Sequence, residues 1–217
     1  MFVDRHDAGR RLAGLLDHLT AEQPVVVGVP RQGMPVAEQV ATALRAPLDV
    51  LVVRRVVVPV EGRWVAVGAV GEGGVHLIDQ ALAAATGVEA DELAALERVE
   101  ALEVERQVHR YRGDLARTDL RGRTVLVVDD GIASGSTARA ACRVARALGA
   151  TRVVMAVPIA PEGWAERVGD DVDEMVSVGT GPEPLIVAHW YANARVVSDD
   201  DVVASLRAVA SAAELQY

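Results

Sequence analysis

Apolar residues in this chain fall into short dense runs separated by amphipathic stretches. Residues 5–20 carry Leu12, Leu15, Leu16 and Leu19, a spacing that puts them on one helical face. Pro24 ends that segment, and VVVGVP over 25–30 reads as a short buried strand. A helix is predicted over 33–45, with Val36, Val40 and Leu44 on one side. LDVLVVRR over 48–55 is a second β-rich run, and 56–78 predicts strands joined by a mobile, Gly-containing loop. The longest helical pattern runs over 89–112, where Leu93, Leu96, Val99 and Val108 recur among charges. TVLVVDD over 124–130 is a third strand, followed by a helix that stops at Gly149, a residue suited to a helix C-terminus. A fourth strand over 151–158, a helix over 162–168, a strand over 173–178 and a last helix over 199–215 complete the alternation.

Strands that are nearly all Val and Leu are buried on both faces. Their alternation with helices predicts an α/β fold: a parallel-stranded sheet flanked by helices on both faces. The ligands of such sheets sit beyond the carboxyl ends of the strands. That rule singles out VPRQG (29–33), VRR (53–55) and VDDGIASGST (128–137).

Composition narrows the classes. A chain of 217 residues, about half apolar, suits one domain with a sizeable core. A net charge of −9 argues against a nucleic-acid surface, which needs a basic face. Cys142 is the only cysteine, so neither a disulfide framework nor a Cys-rich zinc motif is expected, and a reducing setting fits. MFVDRHDAGRR lacks the basic-then-apolar order of a signal peptide, and no apolar run approaches the length of a membrane span. The expectation is a cytoplasmic protein with no membrane partner. His6, His18, His76, His109 and His189 show no paired metal-ligand spacing.

The chemistry concentrates in VLVVDDGIASGST, residues 125–137. Asp129 and Asp130 emerge at the tip of a buried strand. Ala133, Ser134, Gly135, Ser136 and Thr137 then lead into a helix, where small side chains let backbone N–H groups approach an anion. Carboxylates accept hydrogen bonds, so sugar hydroxyls or a hydrated Mg²⁺ suit them. Acids on one side and an anion nest on the other describe a ribose 5-phosphate. Either half alone is also what a solvated turn or an N-cap offers; the ordered combination narrows the reading.

That combination resembles the phosphoribosyl diphosphate signature of the type I phosphoribosyltransferases, in particular a bacterial stand-alone branch. VPRQG, VRR, GAVGEGG and VDDGIASGST occur here in the branch's order. The resemblance implies an enzyme that binds Mg²⁺ and 5-phosphoribosyl 1-diphosphate and transfers ribose 5-phosphate to a nitrogen acceptor, releasing pyrophosphate. It implies donor contacts from Arg31, Gln32 and Gly33, with a cis bond between Pro30 and Arg31, and from residues 133–137. Asp129 and Asp130 would hold the ribose and the metal, directly or through its water. Arg54 and Arg55, at the end of the second strand, would stabilise the leaving pyrophosphate. A flap at about 56–75, a hood built partly from 180–200 and a homodimer also follow from the family.

Two departures bear on the acceptor. Ala133 stands where 6-oxopurine enzymes carry an Asp near the base, and Ala cannot be a general base. Trp190 and Tyr191 keep the hood's aromatic pair and could stack on a flat acceptor. Asn193 and Ala194 replace the acid and aromatic usual after that pair. Arg106, Arg110 and Arg112 read as a solvated helix face, with a dimer or diphosphate contact as the lesser reading. The alternative function is a non-catalytic sensor that binds the donor. A generic dinucleotide or ATP fold is disfavoured, since neither GxGxxG nor GxxxxGK[ST] occurs at a strand-to-helix turn.

Overall fold

The structure is a computed structural model that describes residues 1–214, without the side chains at positions 167, 170 and 212–214. In chain order its elements are α1 (Arg5–Ala13), β1 (Val25–Gly28), α2 (Met34–Leu44), β2 (Leu48–Val50), β3 (Val53–Val60), β4 (Arg63–Gly71), β5 (Val75–Ile78), α3 (Gln80–Thr86), α4 (Ala90–Arg112), β6 (Thr124–Val128), α5 (Ser136–Ala147), β7 (Arg152–Pro161), α6 (Trp164–Val168), β8 (Glu174–Gly181) and α7 (Asp199–Glu214). Position 215 of the predicted last helix lies outside the described residues.

Five strands form a parallel sheet in the order β2-β1-β6-β7-β8. The expected α/β architecture is present, and its two faces follow from strand alternation. Val25, Val27, Val125, Val127, Val153 and Met155 pack against Ala138, Ala141, Cys142 and Ala145 of α5. Val26, Leu126, Val128, Val154 and Ala156 pack on the other face against Leu12, Val36, Val40 and Leu44 of α1 and α2. Each fully buried Val or Leu contributes about 1.5–3 kcal/mol relative to exposure. Cys142 is buried beside Met155, and burial pushes its thiol up to about 12.

The run 48–55 is not one strand. β2 ends at Val50; the Leu51 N–H still donates to the Gly28 carbonyl of β1, and from Val53 β3 begins an antiparallel sheet with β4 and β5. An unbroken apolar run carries no periodicity that marks where one strand stops and another starts. The strands expected over 56–78 are present as the β3–β4 hairpin, turning at Glu61 and Gly62, both at positive φ, and β5. The pattern over 5–20 likewise divides into α1 and a 3-10 turn over Asp17–Glu22.

Arg112, expected on a solvated face, is a buried pin. Its Nε donates to Asp49 Oδ1 at 2.8 Å, and Nη1 and Nη2 donate to Glu72 at 2.5 and 3.0 Å. Nη2 also donates to the Val50 carbonyl, and the Thr118 N–H donates to Asp49 Oδ2. The guanidinium thus ties the end of α4 to β2 and to the end of β4. Burial pushes the Glu72 carboxyl up, against the opposing pull of Arg112. Arg112→Ala leaves two buried carboxylates without their cation, so urea denaturation should show a loss of about 3–5 kcal/mol at neutral pH. The loss should shrink in acid, where the raised Glu72 carboxyl takes up a proton. A loss below about 1 kcal/mol would show that the pin is dispensable.

Candidate functional site

The strand order reverses between β1 and β6, because the chain places β2 on one side of β1 and β6 on the other. Loops leaving the carboxyl ends of two such strands diverge and open a crevice. A cavity of about 280 Å³ fills it here, walled by residues 29–32 from β1 and by 129–135, 137 and 138 from β6 and the start of α5.

The acids come from the tip of β6, whose Val125–Val128 segment is fully buried. Asp130 is tied down at once. Arg5 Nε and Nη2 donate to its Oδ2 at 3.0 and 2.8 Å, and Arg5 Nη1 donates to the Arg195 carbonyl at 2.8 Å. The Tyr191 hydroxyl donates to the Asp130 carbonyl, and the Arg5 guanidinium lies 5.0 Å from the centre of the Tyr191 ring. The Asp130 N–H donates to Asp129 Oδ1 at 2.8 Å, which orients the first acid into the cavity wall. Burial, then the negative charge of Asp130, pushes the Asp129 carboxyl well above the ordinary carboxylate range. Asp130 is raised by burial and pulled back by Arg5.

The opposite wall is the 133–137 loop. Gly135 sits at φ 83°, a left-handed turn that a side chain disfavours, and α5 starts at Ser136 with no acidic residue in its first turn. The N–H groups of that turn have no acceptor within the helix. Ala133, Ser134, Gly135 and Thr137 line the cavity; the Ser136 hydroxyl is turned outward, accepting from Arg55 Nη1 at 2.9 Å.

The loop after β1 contributes Arg31 and Gln32, and the Pro30–Arg31 bond is cis. Arg31 is exposed, with Nη1 3.9 Å from Asp199 Oδ1, and Gln32 Oε1 accepts from the Val197 N–H at 3.3 Å. Gly33 does not line the cavity. A Cβ there would stand 2.7 Å from the Val29 carbonyl oxygen and 2.8 Å from Asp129 Cα, so it is a spacer that lets the two walls meet.

Four more expected contacts fall outside this cavity. Arg54 and Arg55 belong to β3, not to the end of a parallel strand. Arg54 Nε donates to Glu100 Oε2 at 2.6 Å, and Arg55 lines a neighbouring cavity on the far side of the 133–137 loop. The Tyr191 ring is buried against Phe2 and Arg5, and Trp190 packs on Gly181 and Leu185. The Tyr191 ring therefore offers no free stacking face, and Trp190 is partly buried. Arg5 and Asp199 were not legible beforehand: each is one charge among several in a helical segment, and only the fold brings it to the crevice.

The chain matches a family model described as the phosphoribosyl transferase domain over residues 5–190. It belongs to the phosphoribosyl transferase domain family. It is 46% identical over 206 residues to a Mycobacterium tuberculosis protein named as a putative phosphoribosyl transferase. That match covers 95% of this chain and 46% of the relative, so the chain spans about half the length of the curated relatives it matches. The crystal structure of TT1426 from Thermus thermophilus superimposes with a TM-score of 0.84 at 36% identity, covering 95% of this chain and 97% of that one. A shorter match, 51% identical over 51 residues, links it to an adenine phosphoribosyltransferase of Kineococcus radiotolerans, covering 23% of this chain and 28% of that protein. Among the described residues, no helix is long and apolar enough to cross a membrane.

Within this phosphoribosyl transferase domain, the Arg5–Asp130 pair is the tie that sets the acid-bearing strand tip. Arg5→Met and Asp130→Asn should each destabilise the fold, and the double variant should lose less than the sum. A double-mutant cycle in urea should give a coupling of about 1–3 kcal/mol. Additive losses would show that the pair does not act as a unit.

Proposed function

We propose that this chain is a phosphoribosyltransferase that binds Mg²⁺ and 5-phosphoribosyl 1-diphosphate in the crevice between β1 and β6, and transfers ribose 5-phosphate to a nitrogen acceptor. One observation carries the reading: a carboxyl that accepts hydrogen bonds and a nest of free N–H groups face one small cavity. A phosphate alone would leave the Asp129 acceptor unused, and a sugar alone would leave the nest unfilled.

The 5-phosphate sits on the 134–137 backbone, with the hydroxyls of Ser134 and Thr137 as further donors. Asp129 accepts from a ribose hydroxyl. Asp130, committed to Arg5, positions Asp129 rather than gripping the sugar. Arg31 and the backbone at Gln32 face the pyrophosphate, and Asp199 holds Arg31 at the rim until a stronger anion arrives. The transition state gathers charge on the departing pyrophosphate while the ribose carbon becomes oxocarbenium-like, so fixed donors at the leaving group lower the barrier. The β3–β4 hairpin, about 56–75, serves as the flap that excludes water, and 180–200 supplies the hood. A homodimer and a cytoplasmic setting complete the proposal.

The donor set fits Mg²⁺ brought by the donor. Among the described residues no group of three or more His, Cys, Asp or Glu gathers to form a cage. Mg²⁺ is held by one or two carboxylates together with substrate phosphates, and Asp129 is the residue placed to supply one. When bound, the ion neutralises charge on the diphosphate.

A second reading is a donor-binding sensor. It is favoured by Trp190 and Tyr191, whose rings are engaged in packing where an acceptor platform is expected. Pyrophosphate release across a panel of nucleobases separates the two: turnover on any acceptor supports the enzyme, and binding without turnover supports the sensor.

Calorimetry with Mg²⁺ and the donor should show one site per chain, weakened about tenfold or more in Asp129→Asn, which loses a charge-assisted acceptor. Unchanged binding in that variant would remove Asp129 from the site. The raised Asp129 sets the sign of the pH effect. Without ligand its neutral form is favoured, so its contribution to stability falls as pH rises through the raised value. Ribose hydroxyls and Mg²⁺ favour the carboxylate, so donor binding should release a proton and tighten as pH rises. Titrations in buffers of different ionisation heat measure this, and proton uptake would contradict it.

A further inference from the structure

A second cavity, of about 260 Å³, lies across the 133–137 loop, between α5 and the β3–β5 sheet. Ser134 is the only described residue that lines both cavities. Three arginines line the second one: Arg55 from β3, and Arg139 and Arg143 from α5.

Among the described side chains, two of these arginines share one acid. Arg139 and Arg143 are one turn apart on one helix face, where like charges repel. Arg139 also sits within a turn or so of the positive end of the helix dipole. Among the described residues the acid near both is Asp171, whose Oδ2 forms long ion pairs with Arg139 Nε at 3.6 Å and Arg143 Nε at 3.7 Å, without a hydrogen bond to either. Asp79, the acid that lines the cavity, already accepts the Leu82 N–H as the N-cap of α3. Arg55 spends one N–H on a neutral partner, the Ser136 hydroxyl. Local charges that oppose their own helix are expected where a ligand supplies the missing sign. Guanidinium forks match phosphate oxygens in geometry as well as charge.

We propose that this cavity is a second anion site, separate from the donor cavity, which takes the di- or triphosphate group of a small molecule. Arg139 and Arg143 bind the phosphates from α5, and Arg55 from the facing sheet. Leu77 and Leu82 add apolar wall beside them, where a nucleoside attached to the phosphates would rest. The Ser134 and Ser136 hydroxyls are 3.0 Å apart, so an anion on Arg55 acts on the loop that also lines the donor cavity. The site is thereby placed to regulate donor binding. Its existence does not depend on the donor reading.

Calorimetry with tripolyphosphate tests it on the full chain, first alone and then with Mg²⁺ and 5-phosphoribosyl 1-diphosphate at saturation. Tripolyphosphate should bind in both conditions. The pair of substitutions Arg139→Glu and Arg143→Glu should weaken that binding about tenfold or more, while donor affinity stays within about twofold. The milder pair Arg139→Gln and Arg143→Gln should give an intermediate loss and guards against misfolding of the first. ADP as a parallel probe distinguishes the source: tighter binding than pyrophosphate assigns a nucleotide, and equal binding assigns the free polyphosphate group. Tripolyphosphate that no longer binds once the donor is present, or that binds both double variants as tightly as the natural chain, overturns the second site. Failure of the donor to bind at all would count against the proposed transferase and leave the test with tripolyphosphate alone intact.

Discussion

The pairing of Arg5 with Asp130 is the constraint on which the crevice depends. A buried carboxylate at a strand tip is costly unless a cation and further hydrogen bonds meet it. Arg5 meets it with two N–H groups on one oxygen, and its third bond reaches the Arg195 carbonyl. Tyr191 caps the Asp130 carbonyl and stacks near the same guanidinium. One knot therefore joins α1, the end of β6 and the segment before α7. Asp129 is the beneficiary: its neighbour is fixed, its own oxygen accepts the neighbour's N–H, and its carboxyl is left facing the cavity.

The parallel sheet supplies the rest. Val-rich strands with both faces covered hold the β1 and β6 ends apart by one strand spacing, and Gly33 lets the loop after β1 close on the Asp129 backbone. Gly131 plays a matching part toward the hood, where a Cβ would stand 2.8 Å from both Ile159 and Val187. The result is a crevice with a carboxyl wall and a wall of free N–H groups facing each other. A phosphorylated sugar is the ligand proposed to satisfy both. Arg112 performs a parallel task lower in the molecule, joining the hairpin sheet to the edge strand β2 through Asp49 and Glu72.

Much of this was legible in the sequence, and the limits have physical causes. Period and burial locate β1, β6, β7 and the flanking helices because each apolar run there is bounded by turn residues. The break at Leu51 and Val52 was hidden inside an unbroken apolar run, which misplaced Arg54 and Arg55. The cavity walls at 129–135 and at Arg31 and Gln32 were visible because they are contiguous in sequence. Arg5, Asp199 and the packed state of Tyr191 were not, because each depends on partners distant in the chain, as in the Arg5 and Tyr191 bonds to Asp130. Arg112 looked solvated because its stripe of charges gives no sign of which arginine turns inward.

The central claim is that one ligand satisfies both walls of the β1–β6 crevice. A crystal structure with Mg²⁺ and 5-phosphoribosyl 1-diphosphate tests it most directly. The account predicts the 5-phosphate on the backbone N–H groups of the 134–137 loop, a ribose hydroxyl on Asp129, and Arg5 still bound to Asp130. A 5-phosphate bound elsewhere, or a ribose that leaves Asp129 untouched, would contradict it.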